Sequence, residues 1–77
     1  MAEMSFKLNI NTATKDDFLT KLSHCKTGRG RAIGDKIAER IIKYREQNGR
    51  FKYIHDICKV DMIGKKILES IQDYICV

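Results

Sequence analysis

The chain has 77 residues, 43% of them apolar and 32% charged, with a net charge of +5 and no proline. That length holds one small domain around one modest core, and the balance is that of a folded chain rather than a disordered one. No run approaches the ~20 apolar residues of a membrane span. A pI near 9.3 favours nucleic acid or an anionic membrane surface as partner over a plain soluble basic surface; of the two, nucleic acid is expected and a membrane partner is not.

The amino end carries no charged-then-apolar signal peptide. Residues 1–7 read as a disordered or cloning-derived end outside the fold. In "LNINTATKDDFLTKLS", Leu8 and Ile10 alternate with polar residues before "NTAT" breaks the pattern. Thr12 or Thr14 can cap a helix, and Asp16 and Asp17 suit the positive end of its dipole. Phe18, Leu19 and Leu22 then supply an apolar stripe, predicting a first helix from about Lys15 to Ser23. "HCKTGRGRA" has no apolar periodicity and reads as a loop with two glycines and three basic residues.

The spacing of Ile33, Ile37, Ile41 and Tyr44 predicts a second helix from about Gly34 to Gln47, stopped by Asn48-Gly49. A short third helix is expected from Tyr53 to Lys59, anchored by Phe51, Ile54 and Ile57. A fourth is expected from Gly64 to Ile75, with Ile67, Leu68, Ile71 and Ile75 as its core stripe. No segment reads as a strand.

"AIGDKIAERIIKY" (32–44) and "MIGKKILESIQDY" (62–74) lie 30 residues apart and share seven identities, among them Ile33/Ile63, Gly34/Gly64, Lys36/Lys66 and Tyr44/Tyr74. Upstream, "TKL" ending at Leu22 matches "CKV" ending at Val60 at an offset of 38, so the first half carries an eight-residue insertion. The first amides of a helix lack intrahelical partners and face outward at the positive end of the dipole, which suits an anion. A glycine there lets a phosphate approach, the isoleucine before it pins the turn, and Lys36, Lys65 and Lys66 add charge. Two such turns would grip two points of a nucleic-acid backbone. A glycine at a helix start also serves a tight helix–helix turn, so spacing alone leaves an interaction module open.

At this point the chain resembles the tandem helix-hairpin-helix domain of the bacterial competence DNA receptor family. Similar domains occur in eukaryotic DNA-repair proteins, including one fused to an endonuclease/exonuclease/phosphatase fold. "LNINTAT" resembles the family's opening signature, "IIKYREQNGRFKYIHDI" its central block and "VDMIGKKILESIQDYI" its second hairpin. The resemblance covers about Leu8 to Val77. It implies an all-α, SAM-like bundle, sequence-independent DNA binding, and a setting in DNA uptake or repair. The family's loops read glycine, apolar, glycine; here Ala32 and Met62 replace the first glycine, and Asp61 replaces the usual proline. Methionine at a glycine position implies a different turn, while Asp61 and Asp35 would repel a phosphate. The inserted loop compensates through Lys26, Arg29 and Arg31, with Gly28 and Gly30 as joints; otherwise it is a solvated charged loop.

Other constellations carry less. His24, Cys25, His55 and Cys58 could supply a mixed zinc site, but the spacing matches no finger pattern, and no metal or other cofactor is expected. Cys25, Cys58 and Cys76 make an odd count without framework spacing, which fits a reducing, intracellular setting, nuclear or cytoplasmic. Tyr44 and Tyr74 are expected to pack between helices rather than stack on bases. Glu39 and Glu69 read as helix-surface partners, and adjacent Ser23-His24 form no nucleophile–base geometry, so the domain is not expected to be catalytic, though it could serve a larger enzyme.

The expectation is therefore two helix-hairpin-helix units, about 12–48 and 51–77, packed as one domain over 8–77. It would bind backbone phosphates of DNA, duplex more than single strand, through Lys26, Arg29, Arg31, Ile33, Gly34, Lys36, Ile63, Gly64, Lys65 and Lys66. The alternative is a protein-interaction or oligomerisation module that keeps the fold without the DNA grip.

Overall fold

A computed structural model describes residues 7–28 and 30–77. The expectations for 1–6 and for Arg29 lie outside the described residues. Helix α1 spans Lys15–Lys21. Thr14 caps it: its hydroxyl accepts from the Asp17 amide at 3.1 Å, and the Asp17 carboxylate accepts from the Thr14 amide at 3.1 Å. These bonds, led by the one from the Thr14 backbone, hold the Asp17 carboxyl below its ordinary range. The helix ends before Ser23 because Leu22 leaves helical geometry and Cys25 turns back to bond the Leu22 carbonyl at 3.0 Å.

Helix α2 spans Asp35–Asn48. Its stop is the expected one: Gly49 takes φ 87°, and its amide bonds the Arg45 carbonyl at 3.0 Å. Ala38 and Ile41 are its buried residues, with Ile37, Ile42 and Tyr44 packed at the margin. The third helix is a 3₁₀ helix, Ile54–Lys59. The Asp56 carboxylate gathers the amides of Lys52 and Tyr53, each at 3.2 Å, which ties its start to the preceding turn.

The fourth helix is shorter than the periodicity predicts. Helix α3 spans Lys65–Ile71, followed by a 3₁₀ turn over Gln72–Tyr74. Ile75–Cys76 is extended and pairs in parallel with Leu8–Asn9, in register Leu8 with Ile75 and Asn9 with Cys76. The Ile10 amide adds a bond to the Cys76 carbonyl at 2.9 Å. A helix running on through Ile75 would leave these amino-end backbone groups without partners. A second correction falls in "HCKTGRGRA": Lys26–Thr27 and Gly30–Arg31 form an antiparallel hairpin. Numbered in chain order, the strands are β1 (Leu8–Asn9), β2 (Lys26–Thr27), β3 (Gly30–Arg31) and β4 (Ile75–Cys76). Among the described residues the fold is thus mostly helical with two small two-stranded sheets, not purely α.

One core joins these pieces. Phe18 and Leu22 meet Ile41, Ile57 and Ile71, closed by Ile10 and Ile75 at the two ends of the chain; all are essentially fully buried. The opening signature has a structural purpose. The Asn9 side chain accepts from the Asn11 amide at 2.8 Å, which turns the chain. The Asn11 side chain then donates to the Phe51 carbonyl at 3.0 Å and accepts from the Phe51 amide at 2.7 Å. Arg45 of α2 reaches the Ile10 carbonyl at 2.9 Å.

Tyr44 and Tyr74 are not equivalent in their surroundings. Tyr44 stacks on Phe51 with centroids 5.4 Å apart. Tyr74 lies beyond α3, 44% exposed, and meets His24 edge to face at 4.6 Å. Tyr53 is 61% exposed and stacks on His55.

Candidate nucleic-acid interface

The two glycine-led helix starts have matching geometry. Gly34 caps α2 at φ −106°, ψ −174°, and Gly64 caps α3 at φ −102°, ψ −171°. In each, the glycine carbonyl accepts the first helical bond, from Ala38 at 2.9 Å and from Leu68 at 3.1 Å. Neither start uses a side-chain cap. This extended conformation is open to any residue, and a Cβ built on either glycine meets nothing within 4 Å. The fold therefore does not require glycine at 34 or 64. Ser, Asp or Asn would cap better by accepting a first-turn amide. What glycine provides is unobstructed access to those amides from outside the chain.

Ile33 and Ile63 are buried. They anchor the two turns in the core and do not present their side chains to a ligand. Lys36, Lys65 and Lys66 are exposed just behind the glycines.

The approaches to the helices differ. Before α3 the chain makes a tight turn, with the Ile63 amide bonding the Val60 carbonyl at 3.1 Å and Met62 at φ 78°. Methionine thus adopts the backbone conformation glycine would take, rather than forcing the different turn expected from the sequence. Before α2 there is no such turn. The Ala32 amide bonds the Cys25 carbonyl at 2.9 Å, extending the β2–β3 hairpin. Ala32 is not in the left-handed region, so the first glycine is not needed there.

The insertion precedes α2 in sequence but packs beside α3. The Ser70 hydroxyl donates to the Lys26 carbonyl at 3.0 Å. Thr27 and Gly28 line an open cleft of about 460 Å³ with Gly64, Lys65, Lys66 and Ile67. Lys26 and Arg31 are exposed cross-strand partners, so their like charges face each other from one side of the hairpin, at a cost to its stability.

Asp61 has its own cation: Arg40 of α2 reaches its carboxylate at 3.1 Å, which offsets the expected repulsion of a phosphate. Asp35 lies near the Lys15–Glu39 ion pair (2.6 Å). The hydrogen bond to Glu39, and in smaller part Asp35, holds the Lys15 ammonium above its ordinary range. Lys36, Arg40 and Lys43 recur at i, i+4 and i+7, and line one groove on α2 with Glu39. Of these, Lys36 alone is among the residues expected from the sequence; Arg40 and Lys43 share its spacing on the polar side of α2.

Three of the four zinc-capable residues have contacts of their own. Cys25 is buried, which pushes its thiol up, and the two histidines pack on tyrosines. Among the described residues no three His, Cys, Asp or Glu side chains gather as a metal site.

Residues 5–76 match the family described as the helix-hairpin-helix motif. The chain belongs to the helix-hairpin-helix family. It is 46% identical over 70 residues to ComE operon protein 1 of Bacillus subtilis, covering 91% of this chain and 30% of that one. An uncharacterized protein of Haemophilus influenzae is 40% identical over 74 residues, covering 96% of this chain and 59% of its own length. The human endonuclease/exonuclease/phosphatase family domain-containing protein 1 is 38% identical over 71 residues, covering 92% of this chain and 11% of its own length. The resemblance read from the motifs extends across nearly the whole chain. The chain spans less than two thirds of each of these relatives.

Proposed function

We propose that this chain is a non-catalytic, sequence-nonspecific DNA-binding domain that holds backbone phosphates at the starts of α2 and α3, duplex in preference to single strand. In this reading the halves 12–48 and 51–77 are two helix-hairpin-helix units within one domain over 8–77. Membership of the helix-hairpin-helix family supports it. So does a relative whose name places it in the ComE operon, which fits a parent protein in DNA uptake; the relative with an endonuclease/exonuclease/phosphatase domain fits one in DNA repair. Three free cysteines suit a reducing, intracellular compartment.

The observation that carries the reading is the matched pair of glycine caps. Both stand where the fold has no need of glycine, both leave first-turn amides accessible, and lysines follow both. Phosphate contacts of this kind position a protein without reading bases. Each neutralised phosphate contributes about −0.9 to the slope of log K against log salt. Titrating labelled duplex and single strand at two salt concentrations is expected to give a slope between about −2 and −4 on duplex, with similar affinity for unrelated sequences. A slope near zero, or strong preference for one sequence, would remove the reading.

The insertion adds to the second grip. Its Thr27 and Gly28 flank the cleft beside Gly64, and a phosphate near Lys26 and Arg31 would relieve the repulsion between them. Replacing Lys26, Arg29 and Arg31 together by alanine is expected to weaken binding to unrelated duplexes by similar factors and to make the salt slope shallower by about 1 to 2. Unchanged affinity would make the hairpin a solvated loop.

A further inference from the structure

We propose that Met62 is an apolar wedge that enters the minor groove of duplex DNA at the turn before α3, an inference that rests on the DNA-binding reading above. Three observations converge on this side chain.

The first is conformational. Val60, Asp61, Met62 and Ile63 form a turn closed by the Ile63 amide on the Val60 carbonyl at 3.1 Å. Met62 is its third residue, at φ 78°, and among the described residues it is the one non-glycine with positive φ. Asp61 is not in that region, so the turn is type II, whose third position calls for glycine or asparagine because a Cβ there crowds the backbone. Strain of this sort persists where surrounding structure holds it, and it concentrates at functional positions. Here the Asp61–Arg40 ion pair tethers the second residue of the turn to α2, and buried Ile63 fixes the fourth.

The second is exposure. Met62 is 52% exposed. The core on this side is filled by Val60 and Ile63, so packing does not explain a side chain at the strained position. A glycine would serve the fold better.

The third is the charge around it. Exposed Lys65 and Lys66 follow the turn, in a chain of net charge +5. An apolar tip shortly ahead of two lysines, with the adjacent Asp61 carboxylate paired to Arg40, suits a groove walled by phosphates. Methionine is long, unbranched and polarisable, and it is among the side chains that wedge between base steps from the minor groove.

The test compares the unaltered domain with Met62→Gly and Met62→Leu. The readouts are thermal melting, affinity for a duplex carrying 2-aminopurine at two salt concentrations, and the fluorescence of that base, which rises on unstacking. Met62→Gly is expected to raise the melting temperature by about 4 °C, yet to weaken duplex binding about three- to tenfold. The salt slope should stay unchanged, because no phosphate contact is lost, and the fluorescence rise should disappear. Met62→Leu should keep most of the affinity and of the fluorescence rise. Met62→Gly binding as tightly as the unaltered domain, with the salt slope intact, would overturn the wedge and leave the phosphate grips standing. Weaker binding with a shallower slope would overturn it too, by showing that the turn had displaced a phosphate contact. Absence of salt-dependent duplex binding in the unaltered domain would remove the DNA reading and the wedge together. Self-association lost in Met62→Gly would assign the residue to a protein contact instead.

Discussion

Gly34→Glu and Gly64→Glu are each expected to leave the domain folded and to weaken duplex binding at least about tenfold, a loss of about 1.4 kcal/mol. Both glycines sit in extended backbone that glutamate can adopt, and the space above each is empty. An acid at a helix start also suits the dipole, so circular dichroism should be unchanged and melting only slightly shifted. What changes is the sign of the charge at the place where the proposed phosphate would sit. The carboxylate occupies the open side of the cap and competes for the same amides. Gly34→Ser is the matched control: it adds a small cap that bonds a first-turn amide without adding charge, and it should reduce binding less than glutamate does. If Gly64→Glu is folded and binds normally, the turn at Met62 is not a grip. If Gly34→Glu is equally harmless, the DNA reading fails and the interaction module takes its place.

Local chemistry made the helix starts and the stop of α2 legible in the sequence, and tertiary pairing hid the end of α3. Thr14, Gly34 and Gly64 announce helices through capping and through the apolar spacing that follows them, both of which act within a few residues. Gly49 announces a stop for the same reason. The end of α3 is different. Ile75 continues the helical spacing of Ile67 and Ile71, so periodicity extends the helix to it, but its backbone pairs with Leu8 at the other end of the chain. Nothing near Ile75 in the sequence signals that partner. The hairpin in the insertion was hidden likewise: two-residue strands carry too little alternation to read, and Gly28 and Gly30 suggest only a loop. The candidate site was legible as residue types at spacing, in Gly34, Gly64 and the lysines after them. Its arrangement was not. The placement of the insertion beside α3, the pairing of Asp61 with Arg40 and the left-handed backbone of Met62 all depend on contacts between segments distant in sequence or on a turn whose residues disguise it.

Asn11→Ala is expected to destabilise the domain by about 2 kcal/mol, lowering its melting temperature by about 10 °C. Asn11 acts as a piece of strand supplied by a side chain. Its amide donates to the Phe51 carbonyl, and its carbonyl accepts from the Phe51 amide, across 40 positions of sequence. The Phe51 side chain is buried, so alanine strands two backbone groups where water has poor access, and their desolvation is then uncompensated. The clamp also fixes the turn after α2, against which Tyr44 stacks on Phe51. Asn11→Asp separates the two bonds. It keeps an acceptor for the Phe51 amide but sets a carboxylate oxygen against the Phe51 carbonyl, so at neutral pH it should be no more stable than the alanine variant. Below the ordinary aspartate range the protonated carboxyl regains a donor, and part of the loss should be recovered. Chemical denaturation of the three proteins at pH 7 and pH 3, each variant referred to the unaltered domain at the same pH, measures this directly. An Asn11→Asp domain as stable as the unaltered one at pH 7 would show that the bond to the Phe51 carbonyl contributes nothing. In either variant, DNA binding measured below the melting transition should retain its salt slope, because Asn11 holds the two halves together and touches no proposed phosphate contact.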